Sequence, residues 1–314
     1  MFLILSQTVD AQEEGVFQSF FFGGWDLQLI GTDNFYPTYL ADPLAVRFDI
    51  SRQQILSGSV DVQDGVNKGE GYLGKLSIKP ATRISLLRIS PKNNPRLGIE
   101  IDMGVALPIT MRKTNHDLIA LDGIYYMAIA GAPTEWLSLR LAKHHICTHR
   151  GEEFWAGSVN APIDFDPRMF NLYVRDDVMF SAAIKPLYFT GRPVLNFLQV
   201  YSDFSAYIPG EGKIGVRQNK PNTQAYFIFQ GGAEIEHYFK RKFLGGIFAA
   251  LNVSAWQENN YSPNYSAMAG YIFPQAPDKR KFRIGINYYN GRWINNEFFN
   301  YHEEFIAFHL AADL

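Results

Sequence analysis

The chain has 314 residues, of which 47% are hydrophobic, 15% aromatic and 19% charged, and its formal net charge is −2. A balance this close to neutral offers no basic surface to nucleic acid, and no apolar run approaches the ~20 residues of a membrane-spanning helix. The single cysteine, Cys147, excludes an internal disulfide. Two classes remain: a soluble β protein, and a membrane barrel whose apolar residues alternate with polar ones.

The N-terminus resembles the end of a secretory signal peptide. Residues 1–11 are mostly apolar, and Val9-Asp10-Ala11 is similar to a small-residue cleavage site. Gln12 would then begin the mature protein. A disordered N-terminus is the alternative.

From residue 46 onward the sequence alternates apolar and polar residues with period two, the pattern of a strand with one apolar face. Most of the alternating segments reach the ~9–11 residues that a tilted membrane strand requires. About twelve strands are predicted, at 46–50, 83–90, 97–107, 119–129, 137–144, 172–185, 198–206, 225–236, 243–254, 263–273, 281–288 and 303–314.

The connections between these segments differ in length. Short turns are predicted near 91–96, 131–134, 188–194, 240–242 and 275–279, and longer connections near 57–71, 149–171, 209–222 and 291–302. Short periplasmic turns and long outer loops are typical of outer-membrane barrels. An even number of strands places both termini on the periplasmic side.

The last segment, 303–314, alternates to its final residue without a polar tail. An exposed apolar edge strand would promote aggregation in water, whereas a barrel needs such a strand for closure. We therefore predict an all-β, transmembrane, antiparallel up-and-down β-barrel integral to the outer membrane. Residues 45–314 form the barrel and residues 12–44 form a periplasmic or lumen segment.

The predicted inward row carries both signs of charge. Ionisable groups in a membrane barrel face the lumen and pair with one another, and about twelve strands enclose a narrow lumen, since wide channels need ~16–18. A lumen partly filled by ion pairs is expected, although the charges could only solvate and rigidify the wall. The expected lumen-lining residues are Glu100, Asp102, Asp122, Arg140, Arg175, Asp177, Lys185, Asp203, Glu234, Glu236, Lys281 and Arg283.

Two of these side chains have expected partners. Arg140 lies on a strand between those of Asp122 and Asp177, and Arg283 belongs to a strand two away from the closing one, which offers Asp313.

The densest group of reactive side chains is His144–Phe154. His145, Cys147 and His149 share one face of a strand. His145 and His149 are candidate metal ligands, while a histidine beside Cys147, oriented by Glu152 or Glu153, would suit acyl transfer. A purely structural role is the third possibility. By parity His145 and Cys147 continue an apolar row, and no cofactor motif occurs.

Three segments resemble an uncharacterised bacterial family of predicted outer-membrane proteins (domain of unknown function 1207). These are Tyr36–Pro43, His145–Glu153 with Cys147 and Glu152 as departures, and Tyr289–Phe299. The resemblance implies an outer-membrane location and brings no assigned activity. The second segment is also loosely similar to the His-x-Ser pair and downstream Glu of outer-membrane lipid A deacylases.

The functional hypothesis is a narrow channel or a scaffold subunit of an envelope complex. The alternative is a lipid-acyl hydrolase that uses His145, Cys147 and Glu152 or Glu153. Outer-membrane lipid and envelope proteins are the expected partners.

Overall fold

The computed structural model describes residues 18–31, 33–58, 74–112, 116, 118–151, 171–190, 198–209, 213–216, 226–274, 281–299 and 301–313. Within these ranges, seventeen strands form one antiparallel sheet. They are β1 (Gln18–Phe22), β2 (Trp25–Gly31), β3 (Phe48–Gly58), β4 (Gly74–Lys79), β5 (Ala81–Pro91), β6 (Gly98–Ala106), β7 (Ile109–Arg112), β8 (Leu118–Thr134), β9 (Leu137–Arg150), β10 (Asn171–Ile184), β11 (Leu198–Tyr207), β12 (Lys213–Val216), β13 (Phe227–Tyr238), β14 (Gly246–Trp256), β15 (Pro263–Ile272), β16 (Phe282–Arg292) and β17 (His302–Ala312).

The wall of the barrel has twelve strands, because β1 and β2 lie outside it and three of the wall strands are each interrupted into two segments. Pro80 separates β4 from β5 and Pro108 separates β6 from β7, as expected of a residue that cannot donate to a ladder. β11 and β12 both pair with β10. The predicted closed antiparallel barrel of twelve strands is confirmed.

The barrel closes between its first and last wall strands. β17 pairs with β3 from Ala312 opposite Phe48 to Glu303 opposite Gly58. The wall therefore begins and ends at the same rim, which also carries connections 92–97 and 135–136; we call it the turn rim. The opposite end, with connections 59–73 and 151–170, is the loop rim.

The outer face of the wall is apolar and the inner face is packed. On β17, Ile306, Phe308 and Leu310 are exposed, while Phe305, Ala307 and His309, which alternate with them, are buried. The same alternation recurs around the wall, and exposed aromatic residues lie toward both rims, as in transmembrane barrels. An apolar surface of this extent marks contact with a membrane.

Two details of the connections differ from the prediction. Residues 131–134 belong to β8, and the turn to β9 is Glu135-Trp136. Connection 113–117 at the loop rim is short, whereas 185–197 at the turn rim is longer and includes a 3-10 turn at Pro186–Thr190. The alternation of long and short connections is therefore less regular than expected.

A hairpin precedes the barrel. β1 pairs with β2, and β2 pairs with the part of β5 that extends past the start of β3. The edge of β5 is thereby satisfied in its backbone hydrogen bonds. None of the helical turns among the described residues is long and apolar enough to cross a bilayer.

We expect Leu251→Arg to separate a membrane barrel from a water-soluble one. Leu251 is 60% exposed on the outward face of β14. An arginine there costs ~2–4 kcal/mol if the face meets the bilayer core, but less than ~0.5 kcal/mol if it meets water. Denaturant unfolding in phospholipid vesicles measures the difference. An unchanged free energy of unfolding would contradict membrane contact at this face.

Candidate functional sites: the lumen and the outer face

A segment that precedes the first wall strand occupies the lumen. We call residues 33–47 the plug. Phe35, Tyr36, Tyr39 and Leu40 are buried inside the barrel. The plug has no regular secondary structure, so its backbone donors and acceptors need partners from the wall.

The wall supplies those partners with charged side chains. The Phe35 amide donates to Glu100 over 2.7 Å, and the Leu40 amide donates to Glu234 over 3.0 Å. The Arg83 guanidinium donates to the Tyr36 carbonyl over 3.1 Å. Hydrogen bonds to charged groups contribute about 1.5–3 kcal/mol each, so these contacts define the position of the plug.

Arg83 also joins the plug to a second wall group. It donates to the Thr38 hydroxyl over 2.7 Å and pairs with Asp102 over 2.8 Å. The Tyr126 hydroxyl donates to the same carboxylate over 2.9 Å. Asp102 therefore orients the guanidinium that holds the plug.

Aromatic contacts fix the centre of the plug. The Tyr39 ring stacks on Tyr201 with centroids 3.6 Å apart, and the Tyr39 hydroxyl donates to Asp203 over 2.6 Å. The Tyr36 hydroxyl contacts that of Tyr39, and the Arg140 guanidinium lies 4.4 Å from the Tyr36 ring centroid. The plug thus bridges several strands of the wall.

The connection from β16 to β17 closes the lumen nearer the loop rim. We call residues 293–299 the cap; Trp293, Asn295, Asn296 and Phe298 in it are buried. The Asn296 amide donates to Asp122 over 2.9 Å, and Thr148 donates to Glu297 over 2.9 Å. This loop therefore folds into the barrel.

A buried ion-pair network lies beneath the cap. Glu258 pairs with Arg292 over 2.8 Å and with Arg175 over 3.4 Å, and Arg175 pairs with Asp177 over 2.8 Å. The Tyr173 hydroxyl donates to Glu258 over 2.9 Å. Each carboxylate here has a cationic partner, which offsets the cost of removing the charges from water.

Two small cavities lie between the plug, the cap and the wall. One of about 80 Å³ is bordered by Tyr39, Arg140 and Asp203, and another of about 60 Å³ by Arg47, Lys79 and His309. A buried water needs roughly 10–15 Å³ of such space, so each cavity has room for a few waters. A solute would need displacement of the plug.

The expected lumen-lining residues fall into three groups. Asp313 pairs with Arg283 over 2.9 Å, as expected, and Glu236 pairs with both Arg283 and Lys281 near the turn rim. Lys185 lies exposed just beyond the end of β10. The remaining eight are buried and face inward: Glu100, Asp102, Asp122, Arg140, Arg175, Asp177, Asp203 and Glu234.

The expected partners of Arg140 are different in the structure. Its guanidinium donates to Ser181 over 3.3 Å, while Asp122 binds Asn296 and Asp177 binds Arg175. Sequence reasoning also missed Arg83, Glu258 and Arg292. Arg83 lies inward on a weakly patterned strand, and the other two lie at strand ends where alternation carries no signal.

The candidate catalytic residues lie on the outer face of the barrel. Nδ1 of His145 donates to the Asp176 carboxylate of β10 over 3.0 Å, and the His145 ring stacks on Tyr125 with centroids 4.4 Å apart. Sequence reasoning missed Asp176, whose proximity depends on strand register. Cys147 lies next along β9 on this face, and no hydrogen bond joins it to His145 within the described residues.

Of the remaining candidate residues, the structure describes His149 alone. His149 is exposed, and Glu152 and Glu153 lie outside the described residues. Within the described ranges, no three His, Cys, Asp or Glu side chains are arranged to hold a metal ion. The hydrogen bond with Asp176 is therefore the interaction of His145 that the structure shows and the sequence did not predict.

The closed wall, the apolar outer face and the filled polar lumen define an integral membrane β-barrel protein. No family model matches the chain, and the resemblance to the uncharacterised family is not confirmed. No curated protein matches it.

Solved structures with a similar fold include bacterial barrels. A KdgM porin is 8% identical over 86% of this chain and 99% of its own, with a TM-score of 0.41. LpxR from Salmonella typhimurium is 12% identical over 85% of this chain and 100% of its own, with a TM-score of 0.35. A triple mutant of the Rhodopseudomonas blastica porin is 8% identical over 85% and 99%, with a TM-score of 0.32. Similarity at this level says nothing about activity.

We expect a bimane label at Leu141→Cys, in a Cys147→Ala background, to be quenched by brominated lipids, because Leu141 is 52% exposed on the lipid-facing side of β9. The chain has one cysteine, so labelling is specific. The matched control carries Cys147→Ala with His144→Cys, which places the label on the inward face. Equal quenching of the two labels, or stronger quenching at position 144, would contradict the assigned orientation.

Proposed function

We propose that the protein is a narrow, gated channel of the outer membrane in which the plug is the gate. The observation that carries this proposal is that charged wall residues bind the backbone of the plug inside the lumen. The two ends of the plug join β2 and β3, which lie beside the turn rim. A swing of the plug toward that rim would open the lumen without breaking a wall strand.

The charged side chains of the wall favour a plug that can move rather than a plug that fills the lumen permanently. Buried ion pairs are often no more stabilising than apolar residues of similar volume. The wall therefore gains little stability from its charged residues if its lumen never contains water. These residues include Glu100, Asp102, Arg83 and Asp203. The same residues would line a hydrated passage once the plug leaves. Both signs are present, which suits small polar solutes over ions of one charge.

Scaffolding in an envelope complex is the related possibility for a barrel that stays closed. The scaffold hypothesis predicts that no conductance assay detects a current and that partner proteins co-purify with the barrel. The location proposed in either case is the outer membrane, with both termini in the periplasm and with residues 1–11 as a signal-peptide remnant.

We expect purified wild-type protein in planar bilayers to be closed most of the time. Tyr39→Ala removes the Tyr201 stack and the bond to Asp203, so open probability should rise roughly tenfold for each ~1.4 kcal/mol of lost closed-state stabilisation. Replacing residues 34–46 by a Gly-Ser segment of equal length should give a lasting open state. Tyr265→Ala, on the outward face, is the matched control and should leave conductance unchanged.

If the variant with the replaced plug folds but conducts no current, the channel hypothesis is excluded and the scaffold hypothesis remains. Folding is checked by the faster migration of the unboiled protein on a gel. A wild type that conducts continuously would exclude the gate.

Lipid-acyl hydrolysis is the second candidate, and one observation favours it. A carboxylate that binds Nδ1 of a histidine orients the ring for general-base work; here that carboxylate is Asp176 in place of the expected Glu152 or Glu153. Cys147 would be the nucleophile after a rotamer change, or water would take that role.

Under this second candidate, fatty-acid release from lipid A or phospholipid vesicles should fall roughly a hundredfold in His145→Ala. It should fall strongly in Asp176→Asn as well. Tyr265→Phe, on the same outward face, serves as the control. Release that survives both substitutions, or no release by wild type, would exclude the hydrolase.

A further inference from the structure

The outer wall carries a group of polar side chains where lipid-facing residues are expected. Tyr125 of β8, His145 of β9 and Asp176 of β10 are opposite one another and form one row across three strands. Tyr125 is 50% exposed, which fixes this row on the outer face. Ionisable groups on a lipid-facing surface are costly and mark sites of function.

The rows on either side of these residues differ from each other. Toward the turn rim lie Met127, Lys143 and Val178, so an exposed lysine stands between two exposed apolar side chains. The apolar neighbours show that the polar row lies at the border of the membrane-facing band and not out on the loops.

Toward the loop rim lies a row of small side chains, Gly123, Cys147 and Val174. A Cβ atom at Gly123 would approach the Cys147 sulfur to 2.9 Å, so this row has no room for a larger residue at that position. The Cys147 sulfur therefore fills the space over Gly123, and this row is closely packed beside the polar row.

The wall is irregular at the same place. β11 pairs with β10 up to Tyr207 opposite Asp177, and pairing resumes only with Lys213 opposite Val174. Asp176 thus lies where the ladder is interrupted, with its carbonyl accepting from the Ile208 amide over 2.8 Å. Interruptions of this kind are frequent beside functional sites, where they re-aim side chains.

We propose that Tyr125, Lys143 and His145 form a binding site for the phosphate of an outer-leaflet lipid, whose acyl chains extend from it toward the turn rim over the exposed side chains of Met127 and Val178. The three side chains offer a hydroxyl, an ammonium and an imidazole on one patch, which suits an anionic oxygen ligand. Asp176 is a positioning residue: it holds Nδ1 and leaves Nε2 on the far side of the ring. The site requires neither an open lumen nor hydrolysis, so it stands apart from the proposed function.

The test is native mass spectrometry or fluorescence titration of the full-length protein in detergent. The probes are lipid A, the same lipid after enzymatic removal of its phosphates, and inorganic phosphate alone. Wild type should bind lipid A at least tenfold more tightly than the dephosphorylated form, because each charge-assisted hydrogen bond lost corresponds to roughly tenfold or more in Kd.

Three variants locate the site. His145→Ala and Lys143→Ala should each weaken lipid A binding roughly tenfold, and Tyr125→Phe should weaken it by a smaller factor. Tyr265→Phe is the matched control, since Tyr265 is 48% exposed on the outward face of another strand. Asp176→Asn should weaken binding less than His145→Ala, as expected of a residue that acts through the imidazole.

Equal binding of the dephosphorylated lipid would overturn the phosphate as ligand. Displacement of lipid A by equimolar inorganic phosphate would overturn the lipid as its source. Variants that stay heat-modifiable on gels and bind as wild type does would overturn the location.

Discussion

The satisfaction of backbone hydrogen bonds in the absence of water is the constraint on which this structure depends. A sheet in contact with lipid has no solvent for its edges, so the first and last wall strands must pair. β17 and β3 do so along their length. Closure then creates an interior, and the content of that interior decides what the protein can do. The lumen and the outer face are both consequences of one closed ladder.

The interior is filled by chain segments that have no ladder of their own. The plug and the cap present backbone donors and acceptors that the wall must satisfy, and the wall does so with carboxylates and guanidiniums. The charges therefore serve two states in our proposal. They bind peptide groups when the plug is in place, and they would be hydrated when it is not. A purely apolar lumen could do neither.

On the outer face, the constraint applies to polar side chains in contact with lipid. Lipid contact favours apolar side chains, so a polar row there has to be compensated by its neighbours. His145 and Asp176 compensate each other, and Tyr125 covers the imidazole with its ring. Such a group is stable enough to persist and polar enough to recognise a headgroup. The same barrel can thus hold a gate inside and a lipid site outside, because successive residues of a strand point to opposite faces.

Period-two alternation was sufficient to predict most of the wall strands and the closing role of β17, because those properties depend on neighbours along one strand; it did not predict β1, β2 or β4. It also offered Asp313 of the closing strand as a partner for Arg283, although it placed the two strands farther apart than the adjacent β16 and β17. It failed where Pro80 and Pro108 interrupt a ladder and where β8 continues through residues 131–134. Only the tertiary structure decided that residues 33–47 fill the lumen, that Arg140 faces Tyr36 instead of Asp122, and that Asp176 meets His145. Each of these depends on register between strands or on where an irregular segment docks, and neither leaves a periodic trace in the sequence.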